Sequence, residues 1–356
     1  MKKIIARLLA RQDLAPEEAE EAMKAILSGE ATGAQVAAFL TALAMKGETV
    51  EELTAFASMM RKFSTRIHPK VQGSLVDTCG TGGDRIKLFN VSTIAAFIAA
   101  GAGVPIAKHG NRSATGRSGS ADVLEALGFN LAMLPTLVEK SIEAIGIGFM
   151  FAPAFHPAMR NVAGVRKEIG VRTAFNLLGP LTNPAGADAQ LVGVCEGNLT
   201  EDFGRVLHKL GVKRAYVVHG LDGLGEISTI GKTKITALED GEISTSYVQP
   251  EDLGVRAAKA GELEGQTPKE NASMMFGILR GQTRREAHGP KYDLAVANAA
   301  AVILVGGLCE TFAEGMEAAK GSVESGSAYE KLASLVSFSG GDLSRLEELE
   351  NHGRLS

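Results

Sequence analysis

Two short stretches of this 356-residue chain hold the residue types from which anion sites are made. The first runs Cys79, Gly80, Thr81, Gly82, Gly83, Asp84, and continues through Asn90, Val91, Ser92 and Thr93 into an alanine-rich segment. Glycines at 80, 82 and 83 let the backbone fold back and turn its N–H groups into one concavity, to which a helix opening at Ser92 adds the partial positive charge of its N-terminus. Such a nest suits a phosphate or a pyrophosphate. Its spacing is neither the Walker pattern nor GxGxxG, and taken alone it also fits a glycine-rich turn closed by an Asn/Ser/Thr cap.

The second stretch is Lys108, His109, Gly110, Asn111, Arg112, Ser113, Ala114, Thr115, Gly116, Arg117, Ser118, Gly119, Ser120 and Asp122, leading into a helix near Val123. Lysine, two arginines and several hydroxyls in so short a loop exceed what a structural connection needs, and they suit an anionic ligand. A solvated charged loop is the other reading. Both stretches follow strand-like runs, Ser74 to Asp77 and Val104 to Ala107, so both loops would open into the crevice where parallel α/β sheets bind ligands. Together they imply one extended polyphosphate substrate. His109 is a candidate for orienting a substrate or removing a proton, or it hydrogen-bonds the loop together. Cys79 has no adjacent base and reads as a packing residue.

The elements that must hold these loops fall into two textures. Up to about residue 70, Ala22, Ile26, Val36, Phe39, Leu40 and Leu43 recur at helical intervals, Pro16 opens a Glu-rich first turn, Gly29 and Gly47 punctuate, and Thr49 with Glu52 forms a capping box. From Val76 onward, short apolar runs alternate with longer Ala- and Leu-rich segments. Val104 to Ala107, Gln190 to Val194, Ala215 to Val218 and Ile227 to Ile230 read as buried strands; Ser92 to Gly101, Ala121 to Ala126 and Leu199 to Leu210 read as helices. That alternation predicts an α/β fold with a mostly parallel central sheet. Val171 to Pro184, crowded with Asn176, Gly179, Pro180, Asn183 and Pro184, is the expected crossing point between the two domains.

A net charge of -4 offers no general attraction to nucleic acid or an anionic membrane. The three cysteines, Cys79, Cys195 and Cys309, are too scattered for a disulfide framework or a structural zinc site. Arg11, Asp13 and the acidic run from Glu17 to Glu21 interrupt the apolar residues after Met1, so neither a signal peptide nor a membrane span is expected, and the chain reads as cytoplasmic.

The runs GTGGD, FNVST, KHGNRS, SGSADVLEALG, FAPAFHPAMR, RTAFNLLGPLTNPA and DGLGEIS, in this order, resemble the anthranilate phosphoribosyltransferases of tryptophan biosynthesis. The resemblance implies a helical domain over 1–72, joined by helices around 163–186. It packs on an α/β domain of nucleoside phosphorylase/phosphoribosyltransferase type over 73–162 and 187–356, usually in a homodimer. It implies transfer of phosphoribosyl from phosphoribosyl pyrophosphate to anthranilate, with Mg²⁺. Donor residues carried over are Gly80, Gly82, Gly83, Asp84, Asn90, Val91, Ser92, Thr93, the loop Lys108, His109, Gly110, Asn111, Arg112, Ser113, Ala114, Thr115 and Gly116, and Ser120. Gly80, Asn111, His156 and Arg166 would meet anthranilate, Arg166 facing its carboxylate. Ser92 and Glu226 would hold the metal. One of Arg166 and Arg172 is expected to pair with an acidic neighbour such as Glu168.

Two positions depart from the family pattern. Where its second metal motif reads Asp-Glu, this chain has Gly225 and Glu226, and Asp222 is the nearest substitute carboxylate. Leu88 stands where the family usually has Thr or Ser, and Arg85 or Lys87 could supply charge in place of the lost hydroxyl. A working enzyme with altered metal and donor affinity is expected. Competing readings are a relative using another aromatic or nucleobase acceptor, and a non-catalytic relative that binds nucleic acid through Lys108 to Arg117.

Overall fold

The computed structural model describes residues 1–113, 118–281 and 289–353. Seven strands form one sheet in the order β3-β2-β1-β4-β5-β6-β7. They are β1 Val76–Gly80, β2 Ile106–Gly110, β3 Ile147–Phe151, β4 Ala189–Gly193, β5 Arg214–Gly220, β6 Thr233–Glu239 and β7 Glu242–Val248. Strands β1 to β5 pair in parallel, and β6 and β7 continue the sheet antiparallel. The mostly parallel α/β sheet expected from the alternating pattern is therefore present. The chain runs outward from β1 through β2 to β3, then returns to pair β4 on the other side of β1. That reversal opens a crevice beyond the carboxyl ends of β1, β2 and β4, and each of these strands ends in a glycine, Gly80, Gly110 and Gly193.

One expected strand is absent. Ile227 to Ile230 is buried but irregular. Its backbone is satisfied by a side chain: Asn298 Oδ1 accepts from the Ile227 N–H at 2.9 Å, and Asn298 Nδ2 donates to the Ile227 carbonyl at 3.0 Å. A buried apolar run needs some partner for its polar backbone, and here a helix rather than a neighbouring strand provides it. The hairpin that does extend the sheet, β6–β7, turns at Asp240 and Gly241, with φ of 50° and 85°, the handedness that tight hairpins require.

Helices Pro16–Leu27, Gly33–Lys46 and Val50–Lys62 form as their periodicity predicts. The Thr49 box closes both ways, Thr49 Oγ1 accepting from the Glu52 N–H at 3.2 Å and Glu52 Oε2 from the Thr49 N–H at 2.9 Å. The apolar faces of these helices share a core with Val162, Phe175, Leu178 and Leu181 and with sheet residues such as Val192 and Val217. A second core on the other face is built around helices Val91–Gly101 and Pro290–Val305. No helix among the described residues is long and apolar enough to cross a membrane.

Candidate active site

The carboxyl ends of the central strands frame a cavity of about 690 Å³. Both glycine-rich loops line it, and the link between them is explicit. Asn90 Nδ2 donates to the Ser118 carbonyl at 3.2 Å, while Asn90 Oδ1 accepts from Asn271 Nδ2 at 3.2 Å. Asn90 therefore ties the loops together instead of capping the helix Val91–Gly101, which has no side-chain cap. Gly82 and Gly83 hold φ of 62° and 91°, conformations that favour glycine.

Lys108 is nearly wholly buried and spends its protons on neutral oxygens: the Thr78 carbonyl at 2.7 Å, Thr78 Oγ1 at 3.1 Å and Ser92 Oγ at 3.4 Å. It thereby fastens the end of β1 to the first turn of the following helix. Burial lowers its pKa, and the neighbouring buried Asp77 acts against that shift. Asp77 in turn accepts from the His109 N–H at 3.1 Å. In the second loop, Arg112 at the cavity wall is held in ion pairs with Asp122 at 2.9 Å and Glu125 at 2.7 Å. The other Asp122 oxygen accepts from the N–H groups of Ser113 and Gly119, at 3.0 and 2.9 Å. Ser120 Oγ donates to the Asn111 carbonyl at 3.3 Å.

Every described residue assigned to the donor or metal by motif lines this cavity, as do Asn111 and Arg166 from the acceptor set. Ala114, Thr115 and Gly116 fall outside the described residues. His156 does not reach the wall. It packs behind His109, with ring centroids 5.0 Å apart. Arg166 lies over the Phe175 ring, 5.3 Å from its centroid. The expected pairing of Arg166 or Arg172 with Glu168 does not form among the described residues. Arg172 instead crosses to the glycine loop, its Nη1 3.4 Å from the Gly82 carbonyl and its Nη2 3.3 Å from Cys195 Sγ. Cys79 is half-buried, and desolvation first, then Asp77, raises its thiol pKa, which fits its packing role.

Phe175, Asn176 and Gly179 also line the cavity and were not singled out as site residues. Their signal was the Asn, Gly and Pro cluster, read only as a crossing point. At the floor, Glu226 is raised to about 8, chiefly by burial and then by Asp84. Asp222 does not stand in for the missing carboxylate at 225. It accepts from Ser228 Oγ at 2.5 Å and from the Leu224 N–H at 3.2 Å, which holds it in its own turn. Leu88 packs against the main core and bridges to Glu264, so an apolar contact replaces the family's hydroxyl.

The two adjacent imidazoles make a pH prediction. Desolvation lowers His109 to about 4 and His156 to about 3, below the 6.5 of a free side chain, and Nε2 of each is buried without a protein partner. Between these values the unfolded chain binds protons that the folded chain excludes. Stability is therefore full above the unfolded value and falls as pH drops towards 4, by about 3 kcal/mol from His109 alone. Thermal melts should show a steep decline from pH 7 to pH 5 that is shallower in His156→Phe. A midpoint unchanged over that range in the unmodified chain would contradict the assignment.

The chain matches the helical bundle domain of the glycosyl transferase family over residues 2–64 and the a/b domain of that family over residues 72–329. It is 49% identical to the anthranilate phosphoribosyltransferase of Moorella thermoacetica, covering 95% of this chain and 98% of that one. The crystal structure of the Thermus thermophilus enzyme superposes with a TM-score of 0.87 at 40% identity, covering 94% of this chain and 99% of that one. The Saccharomyces cerevisiae enzyme in complex with PRPP and Mg superposes with a TM-score of 0.87 at 27% identity, over 95% and 97% of the two chains. The same yeast enzyme is also known in complex with 4-fluoroanthranilate. On sequence, fold and the order of its cavity motifs, this chain belongs to the anthranilate phosphoribosyltransferase family.

Proposed function

We propose that this cavity carries out the family's reaction, joining anthranilate to C1 of phosphoribosyl pyrophosphate and releasing pyrophosphate. The observation that carries the reading is the convergence of the Gly80–Asp84 nest, buried Lys108 and the guanidinium of Arg166 on one cavity. The nest and the Lys108 loop take the pyrophosphate and phosphate of the donor. Arg166, held over the Phe175 ring, takes the carboxylate of the acceptor.

As the C1–O bond breaks, charge accumulates on the departing pyrophosphate, and loop N–H groups with the fixed charge of Lys108 stabilise it where it develops. The neutral aromatic amine supplies the electron pair for the C1–N bond. Positioning of the two substrates provides much of the rate. After attack the nitrogen carries an acidic proton, for which a weak base suffices; neutral His109, which lines the cavity, would accept it.

Ser92, Asp84 and Glu226 offer only oxygen donors at the cavity floor, and among the described residues no group of three or more His, Cys, Asp or Glu is placed to hold a metal ion. That set fits Mg²⁺, which binds through one or two carboxylates together with substrate phosphates. When bound, the ion would neutralise charge on the leaving pyrophosphate. The reading also carries the domain division at 1–72 with 163–186 against the rest, a homodimer and a cytoplasmic location.

The assignment is tested by Arg166→Ala. We expect the KM for anthranilate to rise at least about tenfold, with the donor KM within twofold, and activity on nucleobases to stay negligible before and after. A rise in donor KM instead would place Arg166 at the wrong end of the cavity.

A further inference from the structure

We propose that Lys87 and Arg172 form a cation clamp on the donor's pyrophosphate, which lets this chain bind pyrophosphate without a divalent metal ion. This rests on the reading that the Gly80–Asp84 loop holds that pyrophosphate; it gives Lys87, offered by the sequence as a charge beside Leu88, a definite role and adds Arg172, which no motif assigned to the site.

The cavity has an unusual balance of charge. Among the described residues its carboxylates are Asp84 and Glu226, and position 225 contributes a backbone N–H instead of a third: the Gly225 N–H donates to Asp84 Oδ1 at 2.9 Å. Among the described residues, five cations line the same cavity. Three have other employment, Lys108 in its buried oxygen cage, Arg112 in ion pairs and Arg166 stacked on Phe175. Lys87 and Arg172 remain, and neither makes an ion pair among the described residues.

Both are parked on carbonyl oxygens of the pyrophosphate loop itself. Lys87 Nζ donates to the Asp84 carbonyl at 3.3 Å, and Arg172 reaches the Gly82 carbonyl at 3.4 and 3.5 Å. These are long contacts to neutral acceptors, and the nearest carboxylate, Asp84, acts on both cations only through space. Arg172 lies so close along the loop that a Cβ at position 83 would stand 1.6 Å from its Nη1. A side chain at position 83 would displace the guanidinium from the loop. Arg172 enters from between helices Arg160–Ile169 and Ala174–Leu178, whereas Lys87 follows the loop, so the two cations approach it from different walls.

An oxyanion settling on the Gly82 and Gly83 N–H groups would lie within reach of both. Each cation would exchange a long neutral contact for a charge-assisted one, bidentate in the case of Arg172. The chain's own cations then meet charge that the carboxylate-poor floor leaves less able to be met by metal.

The test is calorimetric titration with inorganic pyrophosphate, in EDTA and in Mg²⁺, at fixed ionic strength. We expect the unmodified chain to bind in EDTA within about tenfold of its affinity in Mg²⁺. Lys87→Gln and Arg172→Gln should each weaken the EDTA affinity about tenfold, and Arg172→Lys should recover part of the loss, with thermal midpoints unchanged in all three. Gly225→Asp should steepen the dependence on Mg²⁺. Binding only in Mg²⁺ overturns the clamp while leaving the pyrophosphate loop in place; no binding in either condition overturns both. Equal loss in Arg172→Lys and Arg172→Gln with a lowered midpoint would make Arg172 a structural strap and also overturn the clamp.

Discussion

Gly193→Ala is expected to lose about 3 kcal/mol of stability and at least about 100-fold in kcat/KM. A Cβ at position 193 would stand 1.6 Å from the Gly225 carbonyl oxygen and 2.6 Å from its carbon, both backbone atoms that no rotamer change can move. Gly193 also pairs with Gly80 in the β1–β4 register, and a Cβ at Gly80 would already lie 3.1 Å from the Gly193 oxygen. Three glycines thus allow the ends of two strands and the Gly225–Glu226 turn to close together, and that closure sets the floor of the cavity. Chemical denaturation and steady-state kinetics of the purified variant check both effects. Stability and activity matching the parent chain would mean that the turn at 225 is not where the structure puts it.

Lys108→Met should lower kcat by about 10²- to 10³-fold, and it should destabilise the fold by about 3 kcal/mol or more. The two losses have different origins. Removing the ammonium leaves Asp77 wholly buried without its opposite charge, and it removes the donor shared by the Thr78 carbonyl, Thr78 Oγ1 and Ser92 Oγ. Activity falls because the fixed charge beside the leaving pyrophosphate is gone. Adding Asp77→Asn should separate them: the double variant regains most of the stability, since no uncompensated buried charge remains, yet stays as slow as Lys108→Met. Recovery of kcat in the double variant would show that Lys108 acts only by holding the fold.

Both loops were legible in the sequence because their signals are local. Positive-φ glycines, hydroxyls and a helix start lie within a dozen residues of one another, and parallel strands announce themselves as apolar runs. The less legible parts depend on distant packing. β7 is mostly exposed at the sheet edge and shows little apolar alternation, and β3 follows an apolar helix with only Gly146 between them. Ile227 to Ile230 looks like a strand because it is buried, and only Asn298, far along the chain, makes it a loop. In the site, the nest, Lys108 and Arg166 were recognisable as residues of a shared pattern. Phe175, Asn176 and Gly179 are brought in by the fold, and His156 is held one layer back. Arg172 resembled a partner for a nearby acid, and only the close approach of its wall to Gly83 turns it onto the loop.

The most direct measurement follows anthranilate fluorescence and pyrophosphate release together when the purified chain is mixed with anthranilate, phosphoribosyl pyrophosphate and Mg²⁺. Loss of fluorescence with one pyrophosphate released per anthranilate consumed, abolished by omitting the donor, is the expected result. Undiminished fluorescence, or pyrophosphate release that does not depend on anthranilate, would contradict the assignment of this cavity to phosphoribosyl transfer.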